Sequence, residues 1–208
     1  MKLICIGDTH NKHREMTIPD GDVLIHVGDF TEAGTKLETL AFLEWFNEQP
    51  HDYKIFIAGN HDFHMEKLSS TTIQKMLPKK TFYLEDQGVE IEGIKFWGSP
   101  VIPGNGTWAF NRERGSEIKK HWNKIPEDTR ILITHTPPYS IKDTLNNKQH
   151  IGCEELFKRI KKLQLQLHIF GHLHNNFGKT TISPTTFINA SSLDEQYRFL
   201  HSPIIFEF

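Results

Sequence analysis

Seven side chains in this sequence can bind a metal ion, and they gather where apolar runs end. Asp8 closes LICIGD, Asp29 closes LIHVGD, His135 closes ILITH and His172 closes LHIFGH; Asn60 follows the apolar part of KIFIAGNHD. His10 and His174 lie two residues beyond Asp8 and His172. Residues two apart on extended backbone point to the same side, so Asp8 and His10 can reach one ion. Gly7, Gly28, Gly59 and Gly171 each precede one of these side chains. Glycine there lets the chain bend sharply and approach a ligand closely. Gly-Asn alone is ordinary turn chemistry, but the pattern recurs at the end of successive apolar runs.

The set offers oxygen and imidazole and no thiolate. It suits manganese, iron or zinc better than copper(I), and it is too rich in nitrogen for calcium. Seven ligands are too many for one tetrahedral ion. A carboxylate can bridge, so two metals sharing one aspartate is the economical arrangement. Two ions about 3.5–4 Å apart recur in phosphate-ester cleavage, where they lower the pKa of a bound water and clamp phosphoryl oxygens for in-line displacement. The leaving oxygen then needs a proton. His61, next to Asn60, can be the general acid, with Asp62 holding its tautomer.

The elements that must position these groups follow from periodicity. Apolar runs predict strands at Lys2–Ile6, Val23–Val27, Tyr53–Ala58, Arg130–Thr134 and Leu167–Phe170, with further strands at Thr186–Asn189 and Ile204–Phe208. A 3.6-residue period predicts a helix over Leu37–Phe46, packed on a sheet by one broad face. Shorter helices are expected at Thr71–Leu77, Glu117–Asn123 and Cys153–Lys162, and a loop over Phe63–Ser70. Val89, Ile91, Ile94 and Phe96 around Glu92–Gly93 read as a hairpin. Gly98–Gly115 is a long loop rich in aromatic and basic groups, which makes Trp108, Phe110 and Arg112 candidates for substrate binding. His26, inside a strand, reads as structural.

The chain has 208 residues, enough for one good-sized core, and residues 1–208 are read as a single domain. Its formal net charge is −2, which disfavours long nucleic acid as a partner. Thirteen histidines favour a metal protein over a cysteine-built one, since the two cysteines, Cys5 and Cys153, form no zinc signature. No apolar run reaches the roughly 18 residues of a membrane span, and the first strand leaves no room for a signal peptide, so the expectation is a cytoplasmic protein that uses no membrane. The oligomeric state is not readable.

In order, D-x-H at Asp8–His10, GD at Gly28–Asp29, GNHD at Gly59–Asp62, the later His135 and GHLH at Gly171–His174 resemble the calcineurin-like metallophosphoesterases. GDVLIHVGDFT at Gly21–Thr31, GSP at Gly98–Pro100, WAFNR at Trp108–Arg112, LITHTPP at Leu132–Pro138 and INAS at Ile188–Ser191 resemble the metallophosphoesterase-domain-containing phosphodiesterases in particular. The resemblance implies a four-layer α/β/β/α sandwich, with two mixed sheets flanked by helices. It implies Asp8, His10 and His174 on one ion, Asn60, His135 and His172 on the other, and Asp29 bridging. It implies Mn2+ first, with Fe or Zn as alternatives, and His61 as acid or transition-state stabiliser. Animal relatives carry Glu where this chain has Asp62, and either carboxylate can orient a histidine. Relatives act on cyclic nucleotides and artificial phosphodiesters, so small nucleotide-like phosphodiesters are the expected substrates. A phosphomonoesterase or protein phosphatase is the alternative. A DNA nuclease and a non-catalytic scaffold are less favoured, because the chain is slightly acidic and keeps His61 with all seven ligands.

Overall fold

The computed structural model describes residues 1–208. Strands are β1 (Lys2–Ile6), β2 (Val23–His26), β3 (Tyr53–Phe56), β4 (Thr81–Tyr83), β5 (Gln87–Ile91), β6 (Ile94–Ser99), β7 (Ile102–Pro103), β8 (Asn111–Arg112), β9 (Ile131–Thr134), β10 (Leu167–Phe170), β11 (Gly178–Ile182), β12 (Thr185–Asn189) and β13 (Ile204–Glu207). Helices are α1 (Lys36–Glu48), α2 (Phe63–Glu66), α3 (Ser70–Met76), α4 (Ser116–Trp122) and α5 (Glu154–Ile160).

Two sheets carry the architecture. The first runs β13-β1-β2-β3-β4, and the second β11-β12-β10-β9-β6-β5. In each the central strands are parallel, while β13, β5 and β11 join antiparallel at the edges. Parallel central strands are covered on both faces, which is why β1, β2, β9 and β10 read as continuous apolar runs.

Alternation divides each strand between two cores. Leu3, Cys5, Val23, Ile25 and Ile55 of the first sheet meet Ile131, Ile133, Leu167 and Ile169 of the second in a shared interior. Their neighbours Ile4, Ile6, Leu24 and Phe56 face outward onto Phe42 and Phe46 of α1. Leu132 and Phe170 face the other way, onto Trp122 of α4 and Leu156 of α5. The layers are therefore α/β/β/α, as expected. No helix is long and apolar enough to cross a membrane.

Local signals explain most boundaries. α1 starts at a capping box between Thr35 and Glu38, one residue before the expected apolar face begins. The β5–β6 turn places Glu92 at φ 50° and Gly93 at φ 78°, the positive pair a tight hairpin demands. His26 is structural: its Nε2 bonds the Thr9 hydroxyl at 3.0 Å, and its Nδ1 accepts from the Gly28 amide at 3.2 Å. The short strands β4, β7 and β8 were not expected, and two further features differ from expectation. Phe63–Glu66 forms one helical turn rather than loop, because Met65 must reach the core. β11 had no apolar alternation to announce it; it pairs along β12 at the sheet edge with a largely polar face.

Candidate metal centre

The carboxyl ends of β1, β2 and β3 in one sheet and of β9 and β10 in the other converge at one end of the sandwich. Open α/β sheets bind ligands at such ends. Hydrogen bonds stitch the two sheets together there. The His135 Nδ1 lies 2.9 Å from the Val27 oxygen, the Ser192 amide donates to Gly7 at 2.9 Å, and the Ser191 hydroxyl donates to Asp8 Oδ2 at 2.7 Å.

The backbone is bent at the same points. Asp8, His10, Asp29 and His172 all have positive φ, between 38° and 71°. Four non-glycine residues in the left-handed region at one place mark a strained, over-determined site. The close approach also explains two of the glycines. A Cβ on Gly59 would lie 2.3 Å from Asp29 Oδ1, and one on Gly171 would lie 2.2 Å from Asp8 Oδ2.

All seven expected ligands come together. Asp8, His10 and His174 form one cluster and Asp29, His135 and His172 a second, each with its ligand atoms within 4.8 Å of one another. Asn60 Oδ1 adds to the second, 2.9 Å from His135 Nε2. Asp29 acts electrostatically on both His135 and His10, as a carboxylate between the clusters would.

The donor set fits a cation. A main-chain oxygen can only accept, so His135 Nδ1 carries a proton for Val27. Its Nε2 then faces Asn60 Oδ1 at 2.9 Å and Asp29 Oδ2 at 3.2 Å. A proton on Nε2 or a metal ion would satisfy all three atoms at once. With the proton, burial works against the charge, but Asp29 overrides it and His135 is held up at about 9. Burial likewise opposes the Asp29 charge, and His135 nonetheless pulls that carboxyl well below the usual range. In the other cluster, His174 Nδ1 donates to the Asp194 oxygen at 2.9 Å. Its Nε2 is thereby left facing His10 Nε2 at 3.4 Å and Asp8 Oδ1 at 3.9 Å. Burial lowers His10 and His172 to about 4, so both rings are neutral and able to ligate.

His61 stands at the rim. Its Nδ1 lies 2.7 Å from the Glu32 oxygen, and its amide donates to Asp29 Oδ1 at 2.7 Å. Asp62 does not hold the His61 tautomer, which corrects the expectation. Its Oδ2 takes the amides of Asp29 at 2.9 Å and Gly59 at 2.7 Å, and its Oδ1 takes the Thr31 amide at 3.0 Å and hydroxyl at 2.7 Å. Burial and the nearby Asp29 push its carboxyl up to about 7, while the bonds from Thr31 and Gly59 pull the other way. Asp62 braces the turn that carries Asp29 against the turn that carries Asn60.

The substrate-loop expectations divide. Trp108 is 49% exposed and its ring centre is 4.7 Å from that of His61, so it stands beside a ring that lines the cleft without lining it itself. Phe110 is buried with α1 and β3 side chains and has no face to offer a substrate. Arg112 bonds the Asn111 oxygen at 2.7 Å and Glu66 at 3.4 Å, and does not line the cleft. Trp108 is exposed while Ala109 and Phe110 are both buried, so the loop follows no alternation, and composition alone could not say which side chains are core.

Sequence reasoning missed the other wall. Tyr197 sits with its ring centre 4.8 Å from His10 and 5.5 Å from His174. With His61 and His10 4.6 Å apart, Trp108, His61, His10 and Tyr197 form a row of four rings. Asn175 and Glu195 also line the cleft, whose volume is about 230 Å³. No spacing or periodicity marks these positions.

A two-sheet sandwich with paired clusters of oxygen and imidazole at its strand ends defines a class, and comparisons with known proteins agree with it. The calcineurin-like phosphoesterase family matches over residues 1–176. A UPF0046 protein of Caenorhabditis elegans is 38% identical over 99% of this chain and 74% of its own length. Human metallophosphoesterase domain-containing protein 1 is 36% identical over 99% of this chain and 70% of its own length. A solved archaeal phosphodiesterase shares the fold, with a TM-score of 0.52 and 18% identity over 99% of this chain and 100% of its own. This chain belongs to the calcineurin-like phosphoesterase family.

Proposed function

We propose that the protein is a phosphodiesterase for small, nucleotide-like phosphodiesters, dependent on two divalent ions, Mn2+ foremost. The observation that carries this reading is the junction of the two ligand clusters with His61 on their rim. Asp8, His10 and His174 would hold one ion, Asn60, His135 and His172 the other, and Asp29 both. Ions held there supply charge neutralisation for a phosphoryl group and a water of lowered pKa.

The chain's own groups do the rest. The Glu32 oxygen keeps the proton of His61 on Nδ1, so Nε2 is the nitrogen left to exchange a proton with the leaving oxygen. The ring row offers stacking faces at Trp108 and Tyr197 for a base or an aryl group. A cleft of about 230 Å³ suits a small ester better than a polymer. The neighbour named as a phosphodiesterase supports the diester assignment.

A substrate panel with added Mn2+ tests this. Bis-p-nitrophenyl phosphate and cyclic nucleotides are expected to turn over faster than p-nitrophenyl phosphate. A clear preference for the monoester would overturn the diester assignment.

A further inference from the structure

The charges around the cleft differ from those a doubly charged substrate would need. No lysine or arginine lines it. The ammonium of Lys12 is bonded to the Tyr197 oxygen, and that of Lys142 to the oxygens of Asn176 and Phe177. Glu195 instead contributes a carboxylate to the lining that belongs to neither ligand cluster.

That carboxylate is held in place. Asn146 Nδ2 approaches its two oxygens at 3.3 and 3.1 Å, and Asn175 Nδ2 donates to Asn146 Oδ1 at 3.1 Å. The preceding residue, Asp194, accepts from His174 Nδ1 at 2.9 Å through its main-chain oxygen. Its side chain is clamped by Arg198 at 2.6 and 2.8 Å. Glu195 is therefore fixed relative to the cluster containing His174. Its own partner is a neutral amide, which leaves its charge uncompensated.

We propose that Glu195 is a specificity-determining residue, one that selects singly charged phosphodiesters against doubly charged phosphomonoesters. This rests on the phosphodiesterase reading above. A monoester carries nearly two charges above its second pKa of about 6, and a diester carries one. A carboxylate in the cleft lining repels the extra charge, and because Glu195 is exposed and screened by solvent that repulsion amounts to about three- to tenfold in relative kcat/KM. Rejecting a competitor through an unpaired like charge is a common route to specificity.

The test is a charge series at one position: wild type, Glu195→Gln and Glu195→Lys, all with added Mn2+ at pH 8. Glutamine keeps the acceptor for Asn146 and removes only the charge. Both kcat/KM values should rise, with p-nitrophenyl phosphate gaining about three- to tenfold more than bis-p-nitrophenyl phosphate in Glu195→Gln, and more again in Glu195→Lys. Calorimetric titration with inorganic phosphate should show binding tightening in the same order. A diester-to-monoester ratio and a phosphate affinity that stay constant across the series would overturn the assignment. If wild type cleaves neither ester, the phosphodiesterase reading fails, and the phosphate titration still reports whether the Glu195 charge acts on a doubly charged anion.

Discussion

The Nδ1 of His61 meets the main-chain oxygen of Glu32 at 2.7 Å. A backbone oxygen, and not a carboxylate, thus sets the tautomer of the ring at the cleft rim. Replacing His61 with Ala should cost about 10²–10⁴ in kcat, the usual size for a lost general acid, and leave metal content intact. Unchanged kcat would remove His61 from the chemistry.

Asp62 should behave as a brace. Asp62→Asn presents an NH2 to two donors that now meet an oxygen. Leaving buried donors unsatisfied costs about 1–3 kcal/mol each, so unfolding by urea should show a loss of about 2–6 kcal/mol. Whatever activity survives should keep the wild-type pH profile. A shifted profile with wild-type stability would restore Asp62 to the role of orienting His61.

Trp108 and Arg112 should separate in kinetics. Trp108→Ala should raise KM for nucleotide diesters by about tenfold, as expected for a lost stacking face of about 1–3 kcal/mol. It should affect bis-p-nitrophenyl phosphate too, but less. Arg112→Ala should leave kcat/KM within about twofold, because its guanidinium is turned to Glu66 and Asn111. A large loss in Arg112→Ala would place that side chain in the cleft.

Away from the site, Asp86 should govern part of the acid stability. Burial would raise its carboxyl, but bonds from His121 at 2.6 Å, Lys124 at 2.8 Å and Ser99 at 2.7 Å hold it down at about 2. A folded-state pKa below the unfolded value of about 3.9 gives stability that is present above that value. That stability drains away as pH falls from about 4 to 2. After allowance for solvent screening around exposed Lys124, the contribution is about 1–2 kcal/mol. Asp86→Asn should therefore be less stable than wild type at pH 7, with the gap closing towards pH 2.5. A gap that persists or widens in acid would contradict this.

Four of the ligand positions, Asp8, Asp29, Asn60 and His172, were legible because two independent signals coincide at each of them. A strand buried on both faces is apolar except where a polar side chain such as His26 or His168 finds an internal partner, so the first polar side chain after Ile6, Val27, Ala58 or Phe170 marks where it emerges. A glycine just before that side chain records the close approach seen at Gly59 and Gly171. The shared core was legible for the same reason, through Leu3, Ile25, Ile133 and Ile169. Phe110 and Tyr197 show where sequence reading stops. Both are aromatic, both lie in irregular chain and both have positive φ, yet one is buried and the other lines the cleft. Loop side chains follow no period, and only the packing against α1 or against His10 separates them. Asp62 was found for the wrong reason: adjacency to His61 is not contact, and the turn directs its carboxylate back to Thr31 and Gly59.

The most direct test is the number of divalent ions bound per chain, read by elemental analysis after Mn2+ loading and gel filtration, in wild type and in Asp29→Ala. Two ions should bind to wild type, and fewer than one should remain once the shared carboxylate is gone. A wild-type protein that retains no metal, or an Asp29→Ala variant that still retains two, would contradict the account.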